Sequence, residues 1–363
     1  MPKSAAEIFP DVGNSMTLTP EQKQARAEQA IAALNHKFGR TAIQVGGLSP
    51  VPRMSTGLAS ADLLLRQKDR ATGATIAFGI PRGRFTTFWG PESAGKTGLL
   101  YHVIAQVQRS GGIAALQDAE HRFDPIWAAQ LGVDCDMLLL SRPNTLEEAC
   151  YTTEKLAEAG IDLVGIDSII AVASSAELHD GKGKEFDIDH TTMGVIPKRL
   201  SEFFRRATPV VGKSPTAVIL INQVRMNLGG YIVVPDFPGG HALRHYLTVN
   251  IRITRSKTDR KPIDDRGLTP NHTVTLKVIK GMNEGQEKET TFFAEYGFHP
   301  LDDLVEQLIV SNLLPTKGNG RYQFDGKSYF RNDLLEIVEP EFDEWYAKLL
   351  GTTPSASPSH AAK

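Results

Sequence analysis

One octapeptide limits what this chain can become. Gly90-Pro91-Glu92-Ser93-Ala94-Gly95-Lys96-Thr97 fits the spacing G-x-x-x-x-G-K-[ST], and it stands between the apolar run Phe85–Trp89 and a helical segment. The glycines let backbone N–H groups turn inward around phosphate oxygens, and the N-terminus of the following helix adds the positive end of its dipole. Lys96 is then placed to neutralise the β- and γ-phosphates, and Thr97 to hold Mg²⁺. The alternative, a chance Gly-rich turn, leaves the strand before it and the helix after it unexplained. The motif therefore implies a strand–loop–helix unit that binds a nucleoside triphosphate.

The rest of the chain supplies the elements such a unit needs. Phe85–Trp89, Ile113–Gln117, Met137–Leu140, Leu163–Ile166 and Ala217–Asn222 read as buried strands with helical stretches between most of them, the pattern of an α/β fold with a largely parallel sheet. Leu247–Arg255 and His272–Ile279 alternate more like antiparallel strands. Upstream, Thr19-Pro20-Glu21 opens a helix whose apolar face is Ala27, Ala30, Ile31, Leu34 and Phe38, and Gly39 stops it. A short strand over 41–45 and a Gly/Pro linker follow. After Pro300 come a helix over Leu301–Leu313, an aromatic-rich turn region (Tyr322, Phe324, Tyr329, Phe330) and a final helix near Pro340–Leu350. Four segments result: an N-terminal arm and linker (1–56), an α/β core (57–299), a small α+β C-terminal domain (300–350) and a Ser/Thr/Pro/Ala-rich tail (351–363) expected to be disordered. With 363 residues, 41% of them hydrophobic and 23% charged, the chain can bury a sizeable core.

Charge narrows the function classes. The 40 Lys and Arg against 42 Asp and Glu leave a formal net charge of −2, which excludes binding of nucleic acid by bulk charge but not a local basic face. Lys198, Arg199, Arg205, Arg206, Lys213 and Arg225 face only Glu202 between 196 and 225, and Arg252, Arg255, Lys257, Arg260 and Lys261 face only Asp259 between 251 and 261. Either run alone reads as a solvated face. Cys135 and Cys150 form no CxxC pair and no metal spacing, and read as inert thiols of a reducing cytoplasm. No apolar signal region follows Met1-Pro2-Lys3 and no run approaches a membrane span, so a soluble cytoplasmic protein without a membrane partner is expected.

Two carboxylates accompany the phosphate loop. Leu163-Val164-Gly165-Ile166-Asp167 is an apolar strand ending in an acid that can grip the water shell of Mg²⁺. Glu120, in Asp118-Ala119-Glu120-His121, follows another apolar strand and is a candidate general base for polarising a water. By itself Glu120 reads equally as part of a solvated turn or as a helix N-terminal carboxylate.

In order along the chain, Gly90–Thr97, Asp118–His121, Asp124-Pro125, Leu131-Gly132-Val133-Asp134, Asp167-Ser168, Ile221-Asn222-Gln223-Val224-Arg225-Met226 and Gly239-Gly240-His241-Ala242-Leu243 resemble the bacterial RecA recombinase family. Lys37-Phe38-Gly39-Arg40 and Lys277-Val278-Ile279-Lys280 extend the resemblance to about residues 20–300. The phosphate loop is common to very many NTPases; the Asn-Gln-x-Arg-Met and Gly-Gly-x-Ala-Leu pair is much narrower. The resemblance implies a RecA-type P-loop ATPase core with a polymerisation arm, and ATP and Mg²⁺ as cofactors. It implies a cradle of Gly90, Pro91, Glu92, Ser93, Ala94, Gly95, Lys96 and Thr97, with Thr97 and Asp167 at the metal. Asp124 and Trp127 match adenine contacts, Trp127 standing where the family often has Tyr, and Tyr296 matches a position reaching a nucleotide from the neighbouring subunit. Glu120 would activate water, Gln223 would sense the γ-phosphate, and Lys280 would act on the neighbour's nucleotide together with Lys96 in cis.

The same resemblance puts DNA-binding loops at about 179–193 and 225–240. Their candidate contacts are Met193, Arg225, Met226, Leu228, Tyr231, Phe237, Gly239 and Gly240, with Arg199 from the adjoining basic stretch. This chain departs from the family at three places. Met282 replaces a second trans-acting lysine, His245 replaces a Phe that couples subunits, and the tail after Gly351 has no acid. The expected function is an ATP-dependent recombinase: helical filaments on single-stranded DNA that pair it with homologous duplex. The alternatives are a hexameric helicase or branch-migration motor on the same core, and an ATP-switched regulatory filament without strand exchange.

Overall fold

The computed structural model describes residues 18–39, 43, 50–169, 171, 195–223, 225–226, 235–236, 240–255, 270–293 and 296–353. The first DNA-loop region with Met193, the loop residues Leu228, Tyr231, Phe237 and Gly239, and most of the expected strand at 41–45 lie outside the described residues. The chain divides into two compact units, 1–50 and 51–363.

The first unit is carried by helix α1, Pro20–Phe38. Its start is the expected one: Thr19 Oγ1 accepts the Gln22 N–H at 3.3 Å and Gln22 Oε1 accepts the Thr19 N–H at 3.0 Å, a reciprocal capping box. Gly39 closes it in the left-handed conformation (φ 59°) that a side chain resists. Asn35 exchanges two 3.0 Å hydrogen bonds with the backbone of Ile43.

In the second unit a short helix α2 (Ala59–Leu64) precedes the α/β core. The core runs β1 (Phe85–Gly90), α3 (Lys96–Arg109), β2 (Ala114–Asp118), α4 (Pro125–Gln130), β3 (Leu139–Ser141), α5 (Leu146–Glu158), β4 (Leu163–Asp167), α6 (Val195–Val211) and β5 (Ala217–Gln223). It continues with α7 (Gly240–Tyr246), β6 (Leu247–Arg255), β7 (Pro270–Lys280), β8 (Glu287–Phe293) and β9 (Gly297–Phe298). These strands form one nine-stranded sheet in the order β9-β8-β7-β6-β1-β5-β4-β2-β3. From β6 to β3 all neighbours are parallel; β7, β8 and β9 add antiparallel pairs at one side.

Parallel strands covered by helices on both faces must be apolar on both, which is why they read as continuous runs. On one face Leu99, Leu100, Val103 and Ile104 of α3 pack with Phe88, Ile219, Ile221, Ile251 and Ile253. On the other, Phe203 and Phe204 of α6 meet Phe85 edge-on, with centroids 5.9 and 5.0 Å away. The reading of Leu247–Arg255 as an antiparallel strand is half right. β6 pairs antiparallel with β7 but parallel with β1, Leu247 opposite Phe85 and Arg252 opposite Trp89. Alternation reports that the two faces of a strand differ; it carries no information on the direction of its partners.

The C-terminal elements are α8 (Pro300–Val310), three short antiparallel strands, α9 (Arg331–Val338) and α10 (Phe342–Leu350). The aromatic turn region is therefore a small sheet. Its Asp325-Gly326 corner has both residues at positive φ (46° and 73°), the two-residue hairpin signal that the aromatic content obscured. The final helix begins at Phe342 and a separate helix, α9, precedes it. Leu304, Leu308, Leu334, Val338 and Trp345 form a core with Ala59 and Leu63 of α2. Beneath it the buried Asp62 accepts from Thr56 N at 2.9 Å, Thr56 Oγ1 at 2.8 Å and Tyr346 Oη at 2.8 Å. Among the described residues no helix is long and apolar enough to cross a membrane.

Candidate nucleotide site

Strand register alone brings the motif residues to one edge of the sheet. Gly90 stands opposite Gln223 and Asp118 opposite Asp167, so the C-terminal ends of β1, β5, β4 and β2 share one line. The phosphate loop rises from β1 there. A side chain at Gly90 would put its Cβ 1.9 Å from the carbonyl oxygen of Ile253, so only glycine lets β6 lie this close. Gly95 (φ 94°) turns the loop into α3, and a Cβ there would sit 2.9 Å from the Phe298 ring.

Lys96 is buried and its Nζ donates to the carbonyls of Gly90 (3.1 Å) and Pro91 (2.7 Å), at the mouth of the loop. Burial lowers its pKa, while Asp167, Glu120 and Glu92 act to raise it. Thr97 Oγ1 donates to Asp167 Oδ2 at 2.7 Å. Burial pushes the Asp167 carboxyl up to about 6, helped by the charges of Glu120 and Asp118 and opposed by the Thr97 hydrogen bond and Lys96. A half-buried hydroxyl–carboxylate pair beside a buried ammonium fits a divalent cation and a phosphate chain: the oxygens of the pair are hard ligands, and an added cation relieves the crowding of acids.

Glu120 is no solvated turn. Ala119 N and Glu120 N donate to the Asp167 carbonyl at 2.8 and 3.2 Å, which fixes the backbone after β2 on that of β4. Glu120 Oε1 accepts from Gln223 Nε2 and from Ser168 Oγ, each at 2.8 Å. Arg122 Nη1 lies 3.5 Å from Oε2. The cleft above these groups measures about 400 Å³. Lys96, Thr97, Glu120, Asp167 and Gln223 line its polar end, and Tyr101, Phe123 and Trp127 its apolar end. The Trp127 ring lies 5.3 Å from that of Tyr101, so it is at once a core aromatic and a cleft wall.

The RecA N-terminal domain family matches residues 25–297. The chain belongs to the RecA family of recombination ATPases. RecA of Thermus aquaticus is 35% identical over 306 residues, 82% of this chain and 84% of that protein. RecA of Nostoc punctiforme is 35% identical over 335 residues, 90% of this chain and 88% of that protein. A crystal structure of the RadB recombinase superposes with a TM-score of 0.45 at 19% identity, covering 61% of this chain and 91% of that chain, a likeness too slight to add to the assignment.

Not all residues singled out from the RecA resemblance converge on the cleft. Asp124 caps α4, its Oδ1 accepting from Ile126 N (2.9 Å) and Trp127 N (3.2 Å), and is not among the cleft-lining residues. Tyr296 is 45% exposed in the turn before β9 and also stands outside its own chain's cleft. Lys280 Nζ donates to the carbonyls of Arg244 (2.6 Å) and His245 (3.2 Å), at the C-terminal end of α7. Arg199 pairs with Glu202 at 2.7 Å and with Glu147 at 3.7 Å, in a groove between α5 and α6. Arg225 and Met226 pair antiparallel with Asp236 and Pro235, and Gly240 opens α7. Sequence reasoning missed Ser168 as a partner of Glu120. It also missed Asp118, which holds the turn by accepting from Arg122 N (2.8 Å) and Phe123 N (3.1 Å). Arg255 and His272, which line the cleft from β6 and β7, were missed too. The signal for these was positional: each lies at a strand end on the same sheet edge.

Proposed function

We propose that this protein is an ATP-dependent, Mg²⁺-requiring DNA recombinase that assembles on single-stranded DNA and pairs it with a homologous duplex. The observation that carries the reading is the junction at Glu120, where Gln223 and Ser168 both donate to Oε1 beside Lys96, Thr97 and Asp167. Lys96 and the N–H groups of 90–97 would bind the phosphate chain, and Thr97 and Asp167 would hold the metal. When bound, Mg²⁺ would supply positive charge against the charge that develops on the phosphates. Glu120 orients a water and takes its proton as the water oxygen bonds the terminal phosphorus and the β,γ-bridging bond breaks. Gln223 belongs to β5, whose chain continues through Arg225 and Met226 toward the second DNA loop. A change at the terminal phosphate is thereby one strand away from DNA.

Residues 1–56 would serve as the polymerisation arm, 57–299 as the ATPase and DNA-binding core, and 300–350 as the C-terminal domain, with the tail after them. Lys280 and Tyr296, which stand outside their own cleft, suit contacts to a neighbouring subunit's nucleotide in a filament. Electron microscopy with single-stranded DNA and a slowly hydrolysed ATP analogue tests the reading: helical filaments are expected, and their absence would overturn it. Joint-molecule formation between a single strand and a homologous duplex separates it from a regulatory filament, and a strand-unwinding assay from a ring helicase.

A further inference from the structure

We propose that Arg255 contacts the terminal phosphate of the bound nucleoside triphosphate from within the same subunit, and so gives the site its preference for triphosphate over diphosphate. This rests on the nucleotide reading of the cleft.

The placement follows from the sheet. The phosphate loop leaves β1, whose two neighbours are β5 and β6. β5 ends in Gln223, opposite Gly90. β6 runs parallel to β1 with Arg252 opposite Trp89, and the Ile253 carbonyl abuts Gly90. Arg255 lies two residues further, about 6 to 7 Å beyond Ile253 and level with the loop itself. Gly90, against whose α-carbon this strand lies, offers its own carbonyl to Lys96 Nζ, so the ammonium expected at the terminal phosphates is one residue's breadth from the end of β6.

Alternation decides the face. Ile251 and Ile253 pack with Ile219 and Ile221 in the core that holds α3. Arg255 is in phase with the first pair and Gln223 with the second, so both project on the α3 side, one on either flank of the loop. Arg252, out of phase, lies instead over the Trp89 ring at 5.5 Å. Arg255 lines the cleft together with Lys96, Glu92 and Gln223. It is exposed, and among the described residues no carboxylate lies within ion-pair distance of it. A guanidinium that has no ion-pair partner among the described residues, at the edge of a phosphate cradle, can take two phosphate oxygens in its planar fork.

The test is nucleotide binding by the full chain without DNA, comparing a fluorescent, slowly hydrolysed ATP analogue with the matching ADP analogue. Arg255→Ala is expected to weaken the triphosphate by about ten- to a hundredfold, the size of a lost charge-assisted contact, and to leave ADP within about twofold. Arg255→Lys should recover part of the triphosphate affinity. Unchanged triphosphate affinity together with weaker, less salt-dependent binding of single-stranded DNA would overturn the proposal and make Arg255 a DNA contact. Equal loss for both nucleotides with a lower melting temperature would overturn it in favour of a structural role. If the wild type itself binds neither nucleotide, the reading of the cleft fails first, and is seen to fail separately.

Discussion

Glu120 shows what a single carboxylate gains from its surroundings. Two donors on Oε1, from β5 and from the end of β4, hold it over the phosphate loop, and neither donor is near it in sequence. Glu120→Gln is expected to cut ATP turnover by roughly 10²- to 10⁴-fold, the usual worth of a general base, while nucleotide affinity stays close to wild type. Parallel turnover and equilibrium-binding measurements check this. Asp303 is a second residue whose environment sets its behaviour. It is fully buried, accepts the Ser60 N–H at 2.8 Å, and burial pushes its carboxyl from the ordinary 3.8 up to about 6. The fold therefore favours the neutral acid. Below about pH 4 the group makes no difference; between pH 4 and 6 the unfolded chain ionises first and stability falls. Above pH 6 the loss is complete at about 3 kcal/mol. Asp303→Asn keeps the acceptor and removes the ionisation. It should melt higher than wild type at pH 8 and little differently at pH 4.

Helix α1 is the clearest case of an element written in its own residues. Its cap, its Pro20 start and its Gly39 stop are all local, and none of its side chains is buried within its unit. Thr19→Ala removes the cap and is expected to weaken the helix by about 1 kcal/mol, visible as lower helicity in a peptide spanning the arm. Helix α7 has its C-terminal carbonyls satisfied from elsewhere, by Lys280. Lys280→Met, which keeps the aliphatic stem, should lower the melting temperature slightly and also reduce DNA-stimulated ATP turnover; unchanged turnover would count against a role at the neighbour's nucleotide. β6 illustrates the opposite situation to α1. Its limits were legible in the alternation of Leu247–Arg255, yet its parallel pairing to β1 depends on the helix that delivers it to the sheet.

At the scale of the molecule, the C-terminal elements share their core with α2, from which they are separated by more than two hundred residues. Tyr346→Phe would leave the buried Asp62 one donor short and is expected to destabilise the chain by about 1–3 kcal/mol, measured by denaturant unfolding. The sequence by itself determined the phosphate loop, four of the five strands it read as buried, the caps of α1 and the family, because each rests on neighbours within a few residues or on an ordered set of motifs. The fifth, expected over Met137–Leu140, is the short edge strand β3 with Met137, Leu139 and Leu140 exposed, since an edge strand has a neighbour on one side only. It also named Lys96, Thr97, Glu120, Asp167 and Gln223. It could not say that Glu120 is bound by Gln223 and Ser168, that the region from 300 onward packs on α2, or that Arg255 flanks the loop opposite Gln223. Those facts follow from the order of strands in the sheet. That order is decided by which apolar faces bury each other across the whole chain, and no local window of residues contains it.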